Sequence, residues 1–545
     1  MMATMTVTGG ELVLALGRGE QVAGLHGDIR VPLSAVREVA VVRNPVAEVR
    51  GLRAPGLAVP GRTKIGTWRR AGSRSFVVAR RDVPAVRVAL SGARYDELLI
   101  SDAAATELAA RIRESAGLPA PVAEERVTFS SGDLTLGGTL ALPPVGTAPA
   151  DPAAAPASTG SASAGTASTG SASAGTASTG SASAGTALTC SASAGTASTG
   201  AVSGAGREPY PVALIITGSG PLDRDANHPR MPLGISRDLA HALARAGVAS
   251  FRYDKRGAGE SQGSFLAAGL NDNIDDARAA LAWLRTRPEI DPAAVFVIGH
   301  SEGAVIATAL GAEPAGPAAD LAGIVLLSPM AKTGEETLAW QTRQIAGDLP
   351  APVRVILRLL RTDIAAKQAE AVARLKATTT DVARIQGRRT NARWHREFIA
   401  FDPEPALRAL RAPVLAVTGA GDVQVDPADL DTIAATAGRD GGAAEGDAAE
   451  GGTAKGYGTV TDDVAATDGD TGTKDVTATD DAKVAGDVAA AGDVTTVRVP
   501  ELSHLLRRDP DGGGLRTYKQ QIRRPVDPGL LSLVTDWITD RLPRT

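Results

Sequence analysis

From Tyr210 onward the chain alternates apolar runs with stretches of helical period. Residues 212–217 (V-A-L-I-I-T), 295–299 (V-F-V-I-G) and 324–328 (I-V-L-L-S) are nearly unbroken apolar runs. Runs of this kind fit strands covered on both faces. A further strand is predicted at 249–254 (A-S-F-R-Y-D), with helices near 236–247, near 271–287 and from Ser301 onward. Strand and helix in alternation predict an α/β class, a mostly parallel sheet flanked by helices. Upstream, 121–143 reads as a β-hairpin, with a turn at Ser131-Gly132-Asp133.

Residues 1–117 carry a different pattern. Strand-like runs (E-L-V-L-A-L, I-R-V-P-L, V-R-E-V-A-V-V, S-F-V-V-A-R-R, V-R-V-A-L, E-L-L-I-S) are followed by one amphipathic helix. Asp102 is placed as its N-cap and Gly117 just past its end. The expectation is a small mainly-β domain, a barrel or bent sheet closed by its C-terminal helix.

Two biased stretches interrupt this order. Residues 157–206, within a linker at 146–207, are a decaying repeat of A-S-T-G-S-A-S-A-G-T. Ala, Ser, Thr and Gly bury too little apolar surface to offset chain entropy, so the linker is expected to be a disordered tether. Cys190 falls where earlier copies have Gly170 or Gly180 and reads as a drifted repeat residue. Residues 437–493 are rich in Ala, Gly, Asp and Thr and read as a disordered acidic insertion without calcium-loop spacing.

Composition narrows the partners. The 545 residues carry a formal net charge of -4, which gives no reason to expect nucleic acid. The only cysteine is Cys190, so no internal disulfide framework is expected. No signal peptide and no transmembrane run is visible, and a cytoplasmic location is the expectation.

The chemistry concentrates at G-H-S-E-G, residues 299–303. A buried strand runs into Ser301 and a helix-like A-V-I-A-T-A-L follows, the strand–turn–helix setting of a G-x-S-x-G nucleophile elbow. Gly299 and Gly303 are expected because a side chain there would collide with the neighbouring turn. The helix N-terminus favours developing negative charge, and the Glu302 N–H is free to hold an oxyanion. The alternative is an ordinary Gly/Ser turn opening a helix.

A serine nucleophile needs a base, and in this architecture the order is Ser, acid, His. Only His395 and His504 follow Ser301. His395 precedes the strand at 413–418, and the acid is expected just past that strand, at Asp422. That leaves His504 as base, with Asp422 orienting it. Asp426 and Asp429 are alternative carboxylates, and His395 reads as a cap or core histidine. The loop T-G-S-G-P-L-D-R-D at 217–225 is expected to supply the second oxyanion donor, the Ser219 N–H, with Gly218 and Gly220 letting backbone approach the substrate. Asp223, Arg224 and Asp225 read either as an internal ion-pair clamp or as groups for substrate charge. Asp254 and Arg256 are expected to fix the turn at 252–261.

Together, T-G-S-G-P-L-D-R-D, Y-D-K-R-G-A-G-E-S, G-H-S-E-G, G-D-V-Q-V and L-S-H resemble the α/β-hydrolase superfamily, specifically bacterial serine hydrolases with a G-S-G-P-x-D-R-D loop. The resemblance covers about 121–143 and 208–545, excluding the acidic insertion. It implies hydrolysis of a small acyl ester, no metal or organic cofactor, and a helical cap at 331–400 that shapes specificity. Thr217 stands where many relatives carry His, and the insertion between acid and base is long. Residues 1–117 resemble a bacterial PH-like domain, with a protein or lipid partner as one expectation. Other readings are a peptidase or thioesterase with the same triad, or a non-catalytic scaffold on a vestigial hydrolase fold.

Overall fold

The computed structural model describes residues 3–70, 73–144, 208–228, 231–349, 351–360, 362–385, 387–439, 487–491, 493–512 and 514–542. The linker expectation and Cys190 lie outside the described residues, as does most of the acidic stretch.

The apolar runs become the middle of a nine-stranded sheet. Its strands are β1 (Ala123–Ser131), β2 (Leu134–Leu142), β3 (Tyr210–Ile216), β4 (Ala249–Tyr253), β5 (Ile290–His300), β6 (Gly323–Leu327), β7 (Val414–Gly419), β8 (Asp487–Ala491) and β9 (Val494–Val499). They lie in the order β1-β2-β4-β3-β5-β6-β7-β9-β8. The six strands from β4 to β9 are mutually parallel, and antiparallel partners close both edges.

Period-2 geometry explains why these runs are apolar throughout. Val212, Leu214, Val295, Val297, Ile324 and Leu326 pack into one hydrophobic cluster. Their neighbours Ala213, Ile215, Phe296, Ile298, Val325 and Leu327 pack into another on the opposite face. Helices α1 (Ile235–Arg245), α2 (Leu270–Leu284) and α3 (Glu302–Gly311) join the strands. The chain steps from β3 outward to β4, then returns to the other side of β3 at β5. That reversal makes the carboxyl ends of β3 and β5 the topological switch point, the place where ligands bind in open α/β sheets.

Residues 334–400 hold α4 (Gly334–Gly347), α5 (Ala351–Leu359), α6 (Ile364–Lys376) and α7 (Ala392–Ala400). This segment is not wholly helical, contrary to expectation. Val382–Ile385 and Arg388–Asn391 form an antiparallel pair, with Gly387 at φ +79° in the turn. A second correction concerns the acidic stretch. Its residues Asp487–Ala491 form edge strand β8 against β9, because main-chain pairing tolerates a sequence with little to bury.

In the N-terminal part, strands Thr4–Thr8, Glu11–Ala15 and Ile29–Pro32 form one sheet. A six-stranded sheet contains Val36–Val42, Ala85–Leu90, Glu97–Ser101, Ser73–Arg80, Thr63–Arg70 and Leu52–Val59, in that spatial order. Helix Ala105–Ser115 buries Leu108, Ala109 and Ile112 in a cluster shared with Leu12, Phe76 and Leu98. Asp102 is not its N-cap: Ala104 holds that position, and Asp102 accepts the Ala104 N–H at 2.8 Å, two residues too early. Gly117 sits past the end at φ +63°.

Candidate active site

Strand β5 delivers Ser301 at its carboxyl end, with φ +56° and ψ -118°. A side chain pays strain in this region, and the position re-aims Oγ out of the sheet. The glycines on either side are dictated by contact. A Cβ on Gly299 would run into the Gly303 carbonyl, and a Cβ on Gly303 into the Ile216 carbonyl of β3. The elbow is thus wedged against the strand beside it.

Ser301 Oγ lies 3.1 Å from His504 Nε2. His504 Nδ1 lies 2.8 Å from Asp422 Oδ2 and 3.1 Å from Oδ1. An ionised carboxylate only accepts, so the network puts the imidazole proton on Nδ1 and leaves Nε2 to accept from the serine. The three side chains come from just past the carboxyl ends of β5, β7 and β9, parallel strands of one sheet, and converge although 203 residues separate Ser301 from His504.

Asp422 is fully enclosed. Burial alone would raise its pKa, but the His504 charge and hydrogen bonds from His504, Val425 N–H and Gln424 N–H outweigh it, holding the carboxyl below its ordinary value. The two amides donate at 2.9 and 2.8 Å. Ser328 Oγ donates to Oδ2 at 2.8 Å, from a residue at φ +50° just past β6. Asp426 and Asp429, the alternative carboxylates, are both paired with Lys332. His395 donates Nδ1–H to the Asn391 carbonyl at 2.6 Å, one turn back on α7.

The loop after β3 borders the serine. A Cβ on Gly218 would sit 3.4 Å from Ser301 Cβ, so the backbone at Gly218 passes directly beside Ser301. Gly220 holds φ +112°, which turns the loop away. Glu302 N–H is the first amide of α3 and has no intrahelical acceptor. The charged end of this loop faces elsewhere. Arg224 is spent on Asp254 (Nη2–Oδ2 2.5 Å), Glu260 (2.7 Å) and the Gly138 carbonyl (2.6 Å). Asp225 pairs with Arg252 at 2.8 Å, and Asp223 accepts the Asn227 and Asp225 amides. Burial raises the Asp223 pKa despite those amides. Arg256 pairs with Asp272 and Asp276.

Sequence reasoning missed three groups. It singled out Glu302 for its amide, yet its buried carboxylate lies 2.9 Å from Lys255 Nζ and accepts from Asn273 (2.8 Å) and the α7 residue Trp394 (Nε1, 3.0 Å). His300 donates Nε2–H to the His504 carbonyl at 2.9 Å. Burial first, and the neighbouring His504 second, lower the His300 pKa to about 3, so the ring stays neutral. Ser328 is the third. The one available signal was a Glu and a His inside an otherwise apolar run.

A cavity of about 620 Å³ lies among α4, α6, α7 and the 382–391 strand pair, lined by Leu338, Val372, Leu375, Arg388, Thr390 and His395 among others; Ser301 and His504 do not line it. Among the described residues no cluster of His, Cys, Asp or Glu is arranged to hold a metal ion.

Comparison with known proteins fits this architecture. Residues 233–444 match the model of the family Serine aminopeptidase, S33. The fold is the α/β-hydrolase fold. The matched span holds the elbow and Asp422 but stops short of His504, and the loop after β3 precedes it. Among relatives of this hydrolase-fold chain, Esterase EstD of Thermotoga maritima is 25% identical over 229 residues, 41% of this chain and 49% of that protein. An uncharacterised Mycobacterium tuberculosis protein is 35% identical over 118 residues, 22% of this chain and 39% of that one. The chain therefore spans half or less of the length of these curated relatives. Est1E of Butyrivibrio proteoclasticus superimposes with TM-score 0.35 at 12% identity, over 76% of this chain and 96% of that one.

Proposed function

We propose that the chain is a serine hydrolase of carboxylic esters, with Ser301, His504 and Asp422 as its catalytic triad. The observation that carries this reading is the continuous contact from Ser301 Oγ through His504 to Asp422. Ser301 Oγ attacks the ester carbonyl as its proton passes to His504 Nε2. The amides of Ser219 and Glu302 receive the negative oxygen of the tetrahedral intermediate. His504 then protonates the departing alcohol, leaving an acyl-serine. Water attacks this acyl group, gives its proton to His504, and the acid departs as Ser301 recovers its own. Asp422 keeps Nδ1–H oriented and stabilises the imidazolium. In this reading the cap at 331–400 shapes the acyl pocket, and residues 1–117 are a separate PH-like domain from the hydrolase part at 121–545.

The test is fluorophosphonate labelling and p-nitrophenyl ester turnover by wild type, Ser301→Ala and His504→Ala. Labelling of wild type alone, with ester turnover lowered at least about 1,000-fold in both variants, is expected. Ester turnover by Ser301→Ala at the wild-type rate would refute the reading. The serine aminopeptidase family match favours a second reading with the same triad. Aminoacyl anilides hydrolysed faster than esters would place the peptidase reading first.

A further inference from the structure

Helix α5 of the cap exposes more large aliphatic side chains than any other described helix. Its described side chains bury almost nothing: Leu357 is half-buried and the others are exposed. Val355, Ile356 and Leu359 are 54, 53 and 78% exposed, and Leu360, one residue on, is 68% exposed. With Val353, these make five of the thirteen exposed large hydrophobic side chains among the described residues, gathered within eight positions. Scattered exposed aliphatics need no explanation, but a contiguous row of them does.

The helical period sorts this segment into two faces. At about 100° per residue, Val353, Val355, Ile356, Leu359 and Leu360 fall on one broad arc. Arg354 falls opposite, and the sequence sets Arg358 and Arg361 four and seven residues after it. No Asp or Glu occurs from 351 to 361. Arg343, near the end of α4, shares a groove with Arg354 and Val355, and neither arginine has an ion pair among the described residues. Asp348 and Asp363 flank the helix and are already engaged, by Arg516 and by the Ala366 amide. An aliphatic arc backed by unpaired cations suits one kind of surface, an apolar layer beneath anionic headgroups.

We propose that α5 docks the protein onto an anionic lipid surface, with its aliphatic face at the acyl boundary and Arg354 at headgroup level. No described helix is long and apolar enough to cross a membrane, so the attachment is peripheral. It holds the cap at the interface from which lipid-soluble substrates would be drawn. The docking itself does not depend on the hydrolase reading.

Co-sedimentation of the full chain with vesicles tests this. Wild type is expected to sediment with equimolar phosphatidylcholine and phosphatidylglycerol, and far less with phosphatidylcholine alone. Leu359→Asp and Ile356→Asp should each weaken partition about tenfold or more. Arg354→Glu should weaken it about tenfold on the mixed vesicles only, with a matching loss in salt. All three positions are exposed, so melting curves should not move; Leu359→Ser serves as a milder variant should Leu359→Asp misfold. Wild type left in the supernatant with mixed vesicles overturns the proposal, as does binding that survives these substitutions. A dimer in light scattering that Leu359→Asp dissociates, with no vesicle binding, would assign the face to a second copy instead.

Discussion

The floor beneath Ser301 and the cap helix α5 are built on opposite terms. In the floor, every charged group has a partner: Glu302 has Lys255, Asn273 and Trp394, and Asp422 has His504, Ser328 and two amides. In α5, aliphatic side chains face outward and Arg354 has no ion pair among the described residues. A floor with this many constraints can hold Ser301 in a strained conformation without relaxing. A loosely held helix cannot store strain, but it can change its surroundings. The difference separates a region suited to one geometry from a region suited to contact.

The sharpest way to break this contrast is Gly303→Ala. Its Cβ meets the Ile216 carbonyl, so β3 and the elbow must separate. A loss of more than about 4 kcal/mol in denaturant unfolding is expected, with fluorophosphonate labelling abolished. A well-folded, labelled Gly303→Ala protein would mean that the floor is softer than argued.

Glu302→Gln comes next. It leaves the buried Lys255 ammonium without its counter-ion and should cost about 3 kcal/mol. Adding Lys255→Met should recover most of this loss, and failure to do so would show that the carboxylate acts through its other partners.

The third test is pH. His300 titrates near 6.5 when unfolded and is lowered to about 3 when folded, so between these values the unfolded chain binds the extra proton. Its neutral burial therefore contributes fully above about pH 6.5 and is lost as pH falls, at about 1.4 kcal/mol per unit. Unfolding at pH 5 should be easier than at pH 7 by about 2 kcal/mol from this group, and His300→Gln should remove that slope. The depressed Asp422 pKa has the usual carboxylate sign: its contribution is present above its unfolded value and fades only as pH drops through the lower folded one.

The smallest effect belongs to the seam between the floor and helix α7. Trp394→Phe keeps the stacking on Phe398, whose ring centroid lies 4.8 Å away, and loses only the bond to Glu302. About 1 kcal/mol is expected. A larger loss, or a change in ester selectivity, would show that the cap and the floor act as one unit.

Much of the fold was legible because local pattern reports local geometry. The runs at 212–217, 295–299 and 324–328 are apolar at every position because both faces of the sheet are covered, and a period-2 pattern records that directly. G-H-S-E-G was legible for the same reason, since its glycines answer to contacts within the turn and with the adjoining strand. The pair at 382–391 and edge strand β8 were not legible. Neither has much to bury, and both rest on main-chain pairing with a neighbour.

What the sequence determined by itself was therefore the strand–helix alternation and the strained, glycine-flanked corner at Ser301. Only the tertiary structure decided which carboxylate meets His504, where Ser328 and His300 attach to that pair, and that Glu302 is tied to Lys255 and to a cap tryptophan 92 residues away. Backbone preferences and periodic burial act over a few residues and leave a mark in composition. Partners separated by tens or hundreds of residues meet because of strand order, and strand order has no local spelling.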